Sequence, residues 1–285
     1  MHRFSQVIFY IRESPTLGVG FLMVGAVLLF GLLGPLFVDT SMAQPLSSTP
    51  RLSPSWEHLF GTDDSGRDLL AVMVVGVPLT LRIGLLAGAL GLGLGTFLGF
   101  TSGYIGGKFD GLIRALVDTL LTVPPLVVLV SIASTIREEI SVNIMALVVA
   151  SLAWMWPARV IRSQVLSMRE RAYVQMAKLN GLGTTEIIWK ELFPNLLPYL
   201  AANFANAVNW AILASIGLEA LGLGPQNDPT IGMTIYWAIT FSALIRGMWW
   251  WWAIPIFFIG LIFIGLLMIA VGLDKLANPK GRKAV

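Results

Sequence analysis

Few residues in this chain have the types and spacing that catalysis requires. The nearest string to a phosphate-binding loop covers residues 102–109, but a Walker A loop needs glycine in place of Ser102 and serine or threonine in place of Phe109. With two histidines (His2 and His58) and no cysteine, we expect neither a metal site nor a disulfide. No nucleophile–base pair stands out. We therefore predict a chain that is not an enzyme and binds no cofactor itself. If it moves a solute against a gradient, the energy must come from another polypeptide.

One group of polar residues suits solute binding instead. Within a long apolar run stand Asn203, Asn206, Asn209 and Trp210. The i, i+3, i+6 spacing places the three amides on one side of a helix, drifting slowly around it. Buried amides need hydrogen-bond partners, so they either bond to neighbouring helices or line a polar path. Because an amide both donates and accepts, such a path would suit neutral or zwitterionic solutes.

A second polar group lies in a long connection over residues 39–75. Gly61 and Gly66 permit tight turns, and Arg67 has several aspartates near it as possible partners. The candidate site residues here are His58, Gly61, Thr62, Asp63, Gly66, Arg67 and Asp68. We expect the segment, with Asp64 also available to Arg67, to be ordered. It is either a polar loop that satisfies itself or an external docking or gating surface.

The third group is a basic segment between two apolar runs, over residues 172–195. A helix over residues 173–179 is expected to stop at Asn180–Gly181, a common C-terminal pair. Thr184 or Thr185 is expected to cap a new short helix with Glu186 in its first turn. The predicted shape is a short helix lying across the membrane surface, suited to insertion into a partner.

Composition places these groups in a membrane protein. The chain is 56% hydrophobic and 12% charged, with a mean hydropathy of +0.77, whereas soluble domains carry about 25% charged residues. Six uncharged runs are long enough to span a bilayer: 17–38, 83–107, 119–136, 140–158, 192–218 and 247–273. A seventh run, 229–245, is short and follows a loop, so we interpret it as a surface or re-entrant piece. No run has a carboxylate at its middle, which argues against a proton or sodium relay.

The distribution of positive charge sets the expected topology. With the N-terminus inside and six spans, fourteen Lys and Arg residues fall inside and five outside, a strong positive-inside bias. We therefore expect both termini in the cytoplasm. The net charge of +3 reflects this asymmetry and does not indicate nucleic-acid binding.

The first run could alternatively be a cleaved signal peptide. Its 22 residues exceed the ~7–15 of a signal core, so we expect a retained helix. Residues 1–14 carry apolar residues at helical spacing and predict an amphipathic helix on the inner membrane surface.

Three local patterns predict how the spans pack. Glycine recurs along the second span at Gly84, Gly88, Gly91, Gly95, Gly99 and Gly103, a smooth stripe for close helix packing. Pro124–Pro125 should kink or break the third span. The run 249–252 of four tryptophans is expected to form an interfacial belt, with a ligand-stacking platform as the alternative.

The basic segment resembles the cytoplasmic loop of binding-protein-dependent ABC importer permeases. That motif reads E-A-A, three residues, G, nine residues, I-x-L-P. Aligned on Gly181, the first part falls on residues 175–177 and the last on 191–194, so Ala177, Gly181 and Pro194 match. Gln175 stands where the motif has its carboxylate.

The rest of the chain resembles one subfamily of these permeases. Residues 58–68 are similar to its H-x-L-G-T-D-x-x-G-R-D signature, and residues 221–224, Pro229 and 272–279 also look like it. The subfamily is the C-type permeases of dipeptide, oligopeptide and nickel importers, some of which carry oligosaccharides.

The resemblance implies an all-α integral membrane protein with six transmembrane helices in the type I ABC importer permease fold. It implies pairing with a homologous B-type permease, two ABC ATPase subunits that hold ATP and Mg, and an external solute-binding protein. The implied ATPase-coupling residues are Tyr173, Val174, Gln175, Met176, Ala177, Lys178, Gly181, Thr184, Glu186 and Pro194.

The implied organisation has three parts. Residues 1–78 hold the surface helix, first span and external loop, residues 79–278 the permease core with its coupling loop 165–192, and residues 279–285 a basic tail. The substrate stays open among peptides, oligosaccharides and nickel. A stand-alone secondary transporter or channel is the alternative from a different class.

Overall fold

A computed structural model describes residues 14–277, where all regular secondary structure is helical. The helices are α1 (Pro15–Leu33), α2 (Leu69–Ile105), α3 (Gly107–Leu120), α4 (Pro125–Thr135), α5 (Val142–Ala153), α6 (Met155–Arg169), α7 (Ala172–Leu179), α8 (Thr184–Glu186), α9 (Phe193–Ala220), α10 (Ile231–Thr240) and α11 (Trp249–Ala277). A π-helical turn, Ile187–Leu192, joins α8 to α9. The amphipathic helix expected before residue 14 and the basic tail 279–285 lie outside the described residues.

The helices account for the six predicted spans. Four stretches are long and apolar enough to cross a membrane: Pro15–Leu36, Leu69–Ile105, Thr184–Ala220 and Trp249–Lys275. Two bent helix pairs, α3 with α4 and α5 with α6, bring the number to six when each pair is counted as one span. Helix α10 has ten residues, or about 15 Å, so the prediction that the seventh run does not span is confirmed.

Proline explains both bends. The axes of α3 and α4 differ by 85°, and α4 begins with Pro125, so the predicted break at Pro124–Pro125 is confirmed. Helices α5 and α6 meet at 41°. Pro157 lies in the first turn of α6 and has no N–H to give to the end of α5, which accounts for that bend.

Helix α2 begins earlier than the sequence predicts. The uncharged run places the start of this span at residue 83 and ends the polar loop at residue 75, but the helix begins at Leu69. The reason is the Asp68 side chain, which accepts a hydrogen bond from the Ala71 N–H and caps the helix. The predicted domain boundary at residue 78 therefore falls inside α2.

The glycine stripe of α2 lies against its neighbours, as predicted. Gly84 and Gly88 lie against Ile212 and Val208 of α9, while Gly91 meets the end of α5 and Gly95, Gly99 and Gly103 meet α6. A Cβ placed on Gly91 would lie 2.5 Å from the Ala153 Cβ. Glycine is therefore required for this approach.

Helix α1 packs against α11 in the same way. A Cβ on Gly20 would lie 2.8 Å from the Gly265 carbonyl oxygen. The rings of Phe30 and Phe258 lie 4.8 Å apart, and Leu17 and Val27 are buried. This packing supports the interpretation of the first run as a retained helix.

Substitution in the stripe should reveal the cost of that packing. We expect Gly91→Ala to lower the free energy of unfolding by about 1–3 kcal/mol, because the added methyl group overlaps Ala153 and its backbone. Unfolding of the purified protein in detergent would measure it.

The matched control is Gly93→Ala, on the same helix. A Cβ there meets nothing within 4 Å, and alanine favours the helix, so stability should hold or rise. Equal effects of the two variants would contradict the packing account.

Candidate functional site

Helix α7 is a short helix between the two spanning segments α6 and Thr184–Ala220. Its end is fixed by Gly181, which adopts φ +80°, a left-handed conformation that favours glycine. The Leu182 N–H bonds to the Ala177 carbonyl at 3.1 Å and the Gly181 N–H to that of Lys178 at 3.0 Å, a Schellman motif. The predicted stop at Asn180–Gly181 is confirmed.

The two faces of α7 differ. Val174 and Ala177 are buried in one apolar cluster with residues of α2, α6 and α9, and Tyr173 packs at its edge. On the other face, Met176 is 58% exposed and Leu179 81% exposed. The inner face thus attaches α7 to the bundle and leaves an apolar outer face without cover in this chain.

Gln175, where the motif has a carboxylate, bonds within the chain. Its side-chain Nε2 donates to the Arg169 carbonyl oxygen at 3.1 Å, at the end of α6. An ionised carboxylate has no donor and could not make this bond. The departure from the motif therefore stabilises the turn between α6 and α7.

The segment after α7 differs from the sequence prediction in one detail. Gly183, rather than Thr184 or Thr185, is the N-cap of α8, and its N–H bonds to the Glu186 carboxylate at 3.2 Å. Glu186 also pairs with Lys190 at 2.8 Å. Pro194 lies in the first turn of α9, where a missing N–H is tolerated. The remaining candidates, Thr184 and Lys178, are exposed.

The four polar residues of α9 divide into two groups. Asn203, Asn206 and Trp210 line a cavity of about 350 Å³ that α9 shares with α5, α6 and the α3–α4 bend. Asn209 does not line it, and its Nδ2 donates to the Phe263 carbonyl oxygen on α11 at 3.3 Å. Both interpretations of these amides thus occur on one helix. The side chains line a cavity at three positions and join helices at the fourth.

The long polar loop is ordered by its own side chains. His58 bonds to Asp68 at 2.8 Å through Nδ1 and to Ser48 at 2.9 Å through Nε2. Asp63 accepts from the Arg67 side chain at 2.6 Å and from the Arg67 and Ser65 N–H groups. The signature side chains His58, Thr62, Asp63, Arg67 and Asp68 are buried, which supports the self-satisfied interpretation for these residues.

The partners of two aspartates differ from the expected pairing with Arg67. Asp64 instead pairs with Arg51 at 2.5 Å and with Arg246 at 2.6 Å, and Asp68 pairs with His58. Arg246 lies just before α11. It is so far from Asp64 in the sequence that no local pattern could indicate this contact. The Arg246 pair joins the loop to the segment before α11, whereas the Arg51 and His58 pairs lie within the loop.

Two buried tryptophans correct the prediction of an interfacial belt. Trp251 is fully buried and Trp250 is 8% exposed, while Trp249 is 56% exposed. The Trp250 Nε1 donates to the Thr62 carbonyl oxygen at 3.1 Å. Gly61 has φ +72° and its missing Cβ leaves room for the Trp250 ring. The Trp250 side chain therefore docks the loop on the bundle.

Removing the central carboxylate of the loop should loosen it. We expect Asp68→Ala to lower the free energy of unfolding by about 2–3 kcal/mol, because it removes the α2 cap and leaves the buried His58 without its partner. Unfolding in detergent and the rate of proteolytic cleavage within residues 44–67 measure this effect.

Glu57→Ala is the control, since Glu57 is exposed in the same loop. It should leave stability and cleavage unchanged. If the two variants unfold and are cleaved alike, the loop is not held by the His58–Asp68 contact.

Comparison with known proteins agrees with this arrangement. Residues 91–283 match the family of binding-protein-dependent transport system inner membrane components. The chain is 31% identical to a dipeptide transport system permease protein of Alkalihalophilus pseudofirmus, covering 92% of this chain and 85% of that protein. It is 29% identical to the corresponding Bacillus subtilis protein (92% and 80%) and 28% identical to the oligopeptide transport system permease protein of Bacillus subtilis (95% and 88%). The match covers more than half of the chain, which is thus a multi-pass membrane protein and belongs to the family of inner membrane components of binding-protein-dependent transport systems.

Proposed function

We propose that this chain is the C-type permease subunit of an ATP-driven peptide importer. The relatives above are named as dipeptide and oligopeptide permeases, which supports peptides over oligosaccharides or nickel. The subunit forms half of the translocation path, and a homologous B-type permease forms the other half.

The observation that carries this proposal is the two-faced helix α7. Its inner face is buried among α2, α6 and α9, while Met176 and Leu179 expose apolar surface at the end of two spans. Exposed apolar patches mark interaction sites. Two ABC ATPase subunits, which hold ATP and Mg, are the partners, and this chain is the non-catalytic subunit.

The orientation follows from charge. Arg169, Arg171 and Lys178 lie in α7 or directly before it, so by the positive-inside rule that end is in the cytoplasm, with both termini. The polar loop over residues 39–68 then faces outside, where a solute-binding protein docks on its exposed side chains. The buried signature residues give that surface its shape.

The translocation path runs past the cavity of Asn203, Asn206 and Trp210. Side-chain amides and an aromatic ring favour a neutral or zwitterionic solute with amide groups of its own, such as a peptide. Asn209 contributes by joining α9 to α11.

A charge on the outer face of α7 should uncouple transport. We expect Leu179→Asp to reduce ATP-dependent uptake about tenfold or more, because a buried apolar contact at an interface centre contributes strongly to binding. The side chain is 81% exposed in this chain, so folding should be retained. Uptake and co-purification of the ATPase subunits measure the effect.

Leu179→Met is the matched control, because it keeps the apolar surface. It should support near wild-type uptake and assembly. Wild-type uptake by the Leu179→Asp variant would remove α7 as the ATPase contact.

Reconstitution separates the proposal from a stand-alone transporter or channel. We expect liposomes containing both permeases, the ATPases and the binding protein to accumulate a dipeptide only with ATP, and liposomes containing this chain alone to accumulate none. Peptide flux through the isolated chain without ATP would contradict the proposal. Uptake of an oligosaccharide or Ni²⁺ in place of the dipeptide would reassign the solute.

A further inference from the structure

A charged cleft continues the cavity of α9 toward the end of the bundle that carries α7. It has a volume of about 340 Å³ and lies between α3 and α6, with Arg114, Asp118, Arg159 and Arg162 in its lining. On α6, the cavity above is lined by Met155 to Pro157 and the cleft by the residues that follow. The two spaces therefore succeed one another along the same helices.

Two kinds of ion pair lie at this cleft. Arg162 binds Asp110 through two contacts of 2.5 and 2.6 Å, and their side chains are 20% and 15% exposed. Asp118 instead lies 3.4 Å from Arg114 and 3.7 Å from Arg159, with the three side chains 40–66% exposed. Arg162 and Asp110 thus form a tight pair with two contacts, whereas Asp118, Arg114 and Arg159 form an exposed and loosely paired group.

The group of Asp118, Arg114 and Arg159 carries more positive than negative charge. One carboxylate, on Asp118, faces two guanidinium groups at long distances. Exposed pairs of this kind contribute roughly 0–1 kcal/mol, so a solute can displace them at little cost. Charged side chains in spanning segments face water or protein rather than lipid. The cleft therefore lies along an aqueous route or against another protein.

We propose that Arg114, Asp118 and Arg159 form a transient binding site for the two charged termini of a peptide as it leaves the path. Asp118 accepts hydrogen bonds from the ammonium group of the peptide. The guanidinium groups of Arg114 and Arg159 donate hydrogen bonds to the carboxylate of the peptide. This inference rests on the proposed peptide importer and adds where, and by which charges, the peptide is held.

Size and charge both fit a short peptide. An extended dipeptide is about 7 Å long, and ligand cavities of about 300–1,000 Å³ are usual. The guanidinium plane matches a carboxylate with two parallel hydrogen bonds. A neutral sugar has no charged group to pair with these side chains, and a Ni²⁺ ion would meet one carboxylate beside two cations.

The test uses the assembled importer with its binding protein in liposomes. Initial uptake of alanyl-alanine and ATP hydrolysis are measured together for the variants Asp118→Asn and Arg159→Gln. We expect each to carry about fivefold less dipeptide per ATP hydrolysed, the loss corresponding to one exposed charge contact. Complex assembly should be unchanged, because the side chains are largely exposed.

Arg137→Gln is the matched control, an exposed arginine outside the cleft. It should keep the wild-type ratio of dipeptide to ATP. If Asp118→Asn and Arg159→Gln also keep that ratio, or if they lose assembly instead, the cleft is not a peptide site and in the second case is a subunit contact. Absence of dipeptide uptake by the wild-type complex would overturn the proposed function itself.

Discussion

Helix α2 packs closely against α5, α6 and α9 at its glycine residues. The rest of the bundle depends on this close packing. Gly84 and Gly88 admit side chains of α9, while Gly91 to Gly103 admit α5 and α6. In a bilayer the hydrophobic effect does little to drive helices together, so van der Waals packing between small residues contributes most. One glycine-faced helix thus fixes three others at short range.

The same packing connects α7 to the helices that line the proposed route. Val174 and Ala177 of α7 lie in the cluster that joins α2, α6 and α9. Helix α9 carries Asn203 and Trp210, and α6 carries Arg159. Under the proposed function, a push from the ATPase on the exposed face of α7 would act through this cluster on the helices that line the proposed route. The polar loop of residues 39–68 lies against α11 through the hydrogen bond from Trp250 to Thr62, and the Asp64–Arg246 pair joins it to the segment before α11.

Sequence patterns predicted what depends on neighbouring residues. The stop at Asn180–Gly181 and the break at Pro124–Pro125 follow from local chemistry and are confirmed. The apolar runs likewise correspond to four spanning helices and two bent helix pairs. Sequence patterns did not predict contacts between residues that are far apart in the chain. Asp64 pairs with Arg246 rather than Arg67, and no local pattern could choose between the two interpretations of Asn209, which bonds to α11. Trp250 is buried where it bonds to the loop, and Trp251 is buried with its ring stacked on that of Phe241. The roles of the coupling residues stay predictions, since they concern surfaces that other chains would cover.

Cross-linking from one introduced cysteine tests the central claim, that α7 is where the ATPase acts. The chain has no cysteine of its own, so Leu179→Cys gives a unique thiol on the exposed face. In native membranes a short thiol–amine cross-linker should join it to an ATPase subunit, and a membrane-impermeant reagent added outside intact cells should leave it unmodified. Trp56→Cys, at a position 97% exposed in the polar loop, should show the opposite pattern. Reaction of the Leu179→Cys thiol with the external reagent, together with cross-linking of the Trp56→Cys thiol to the ATPase, would contradict the account.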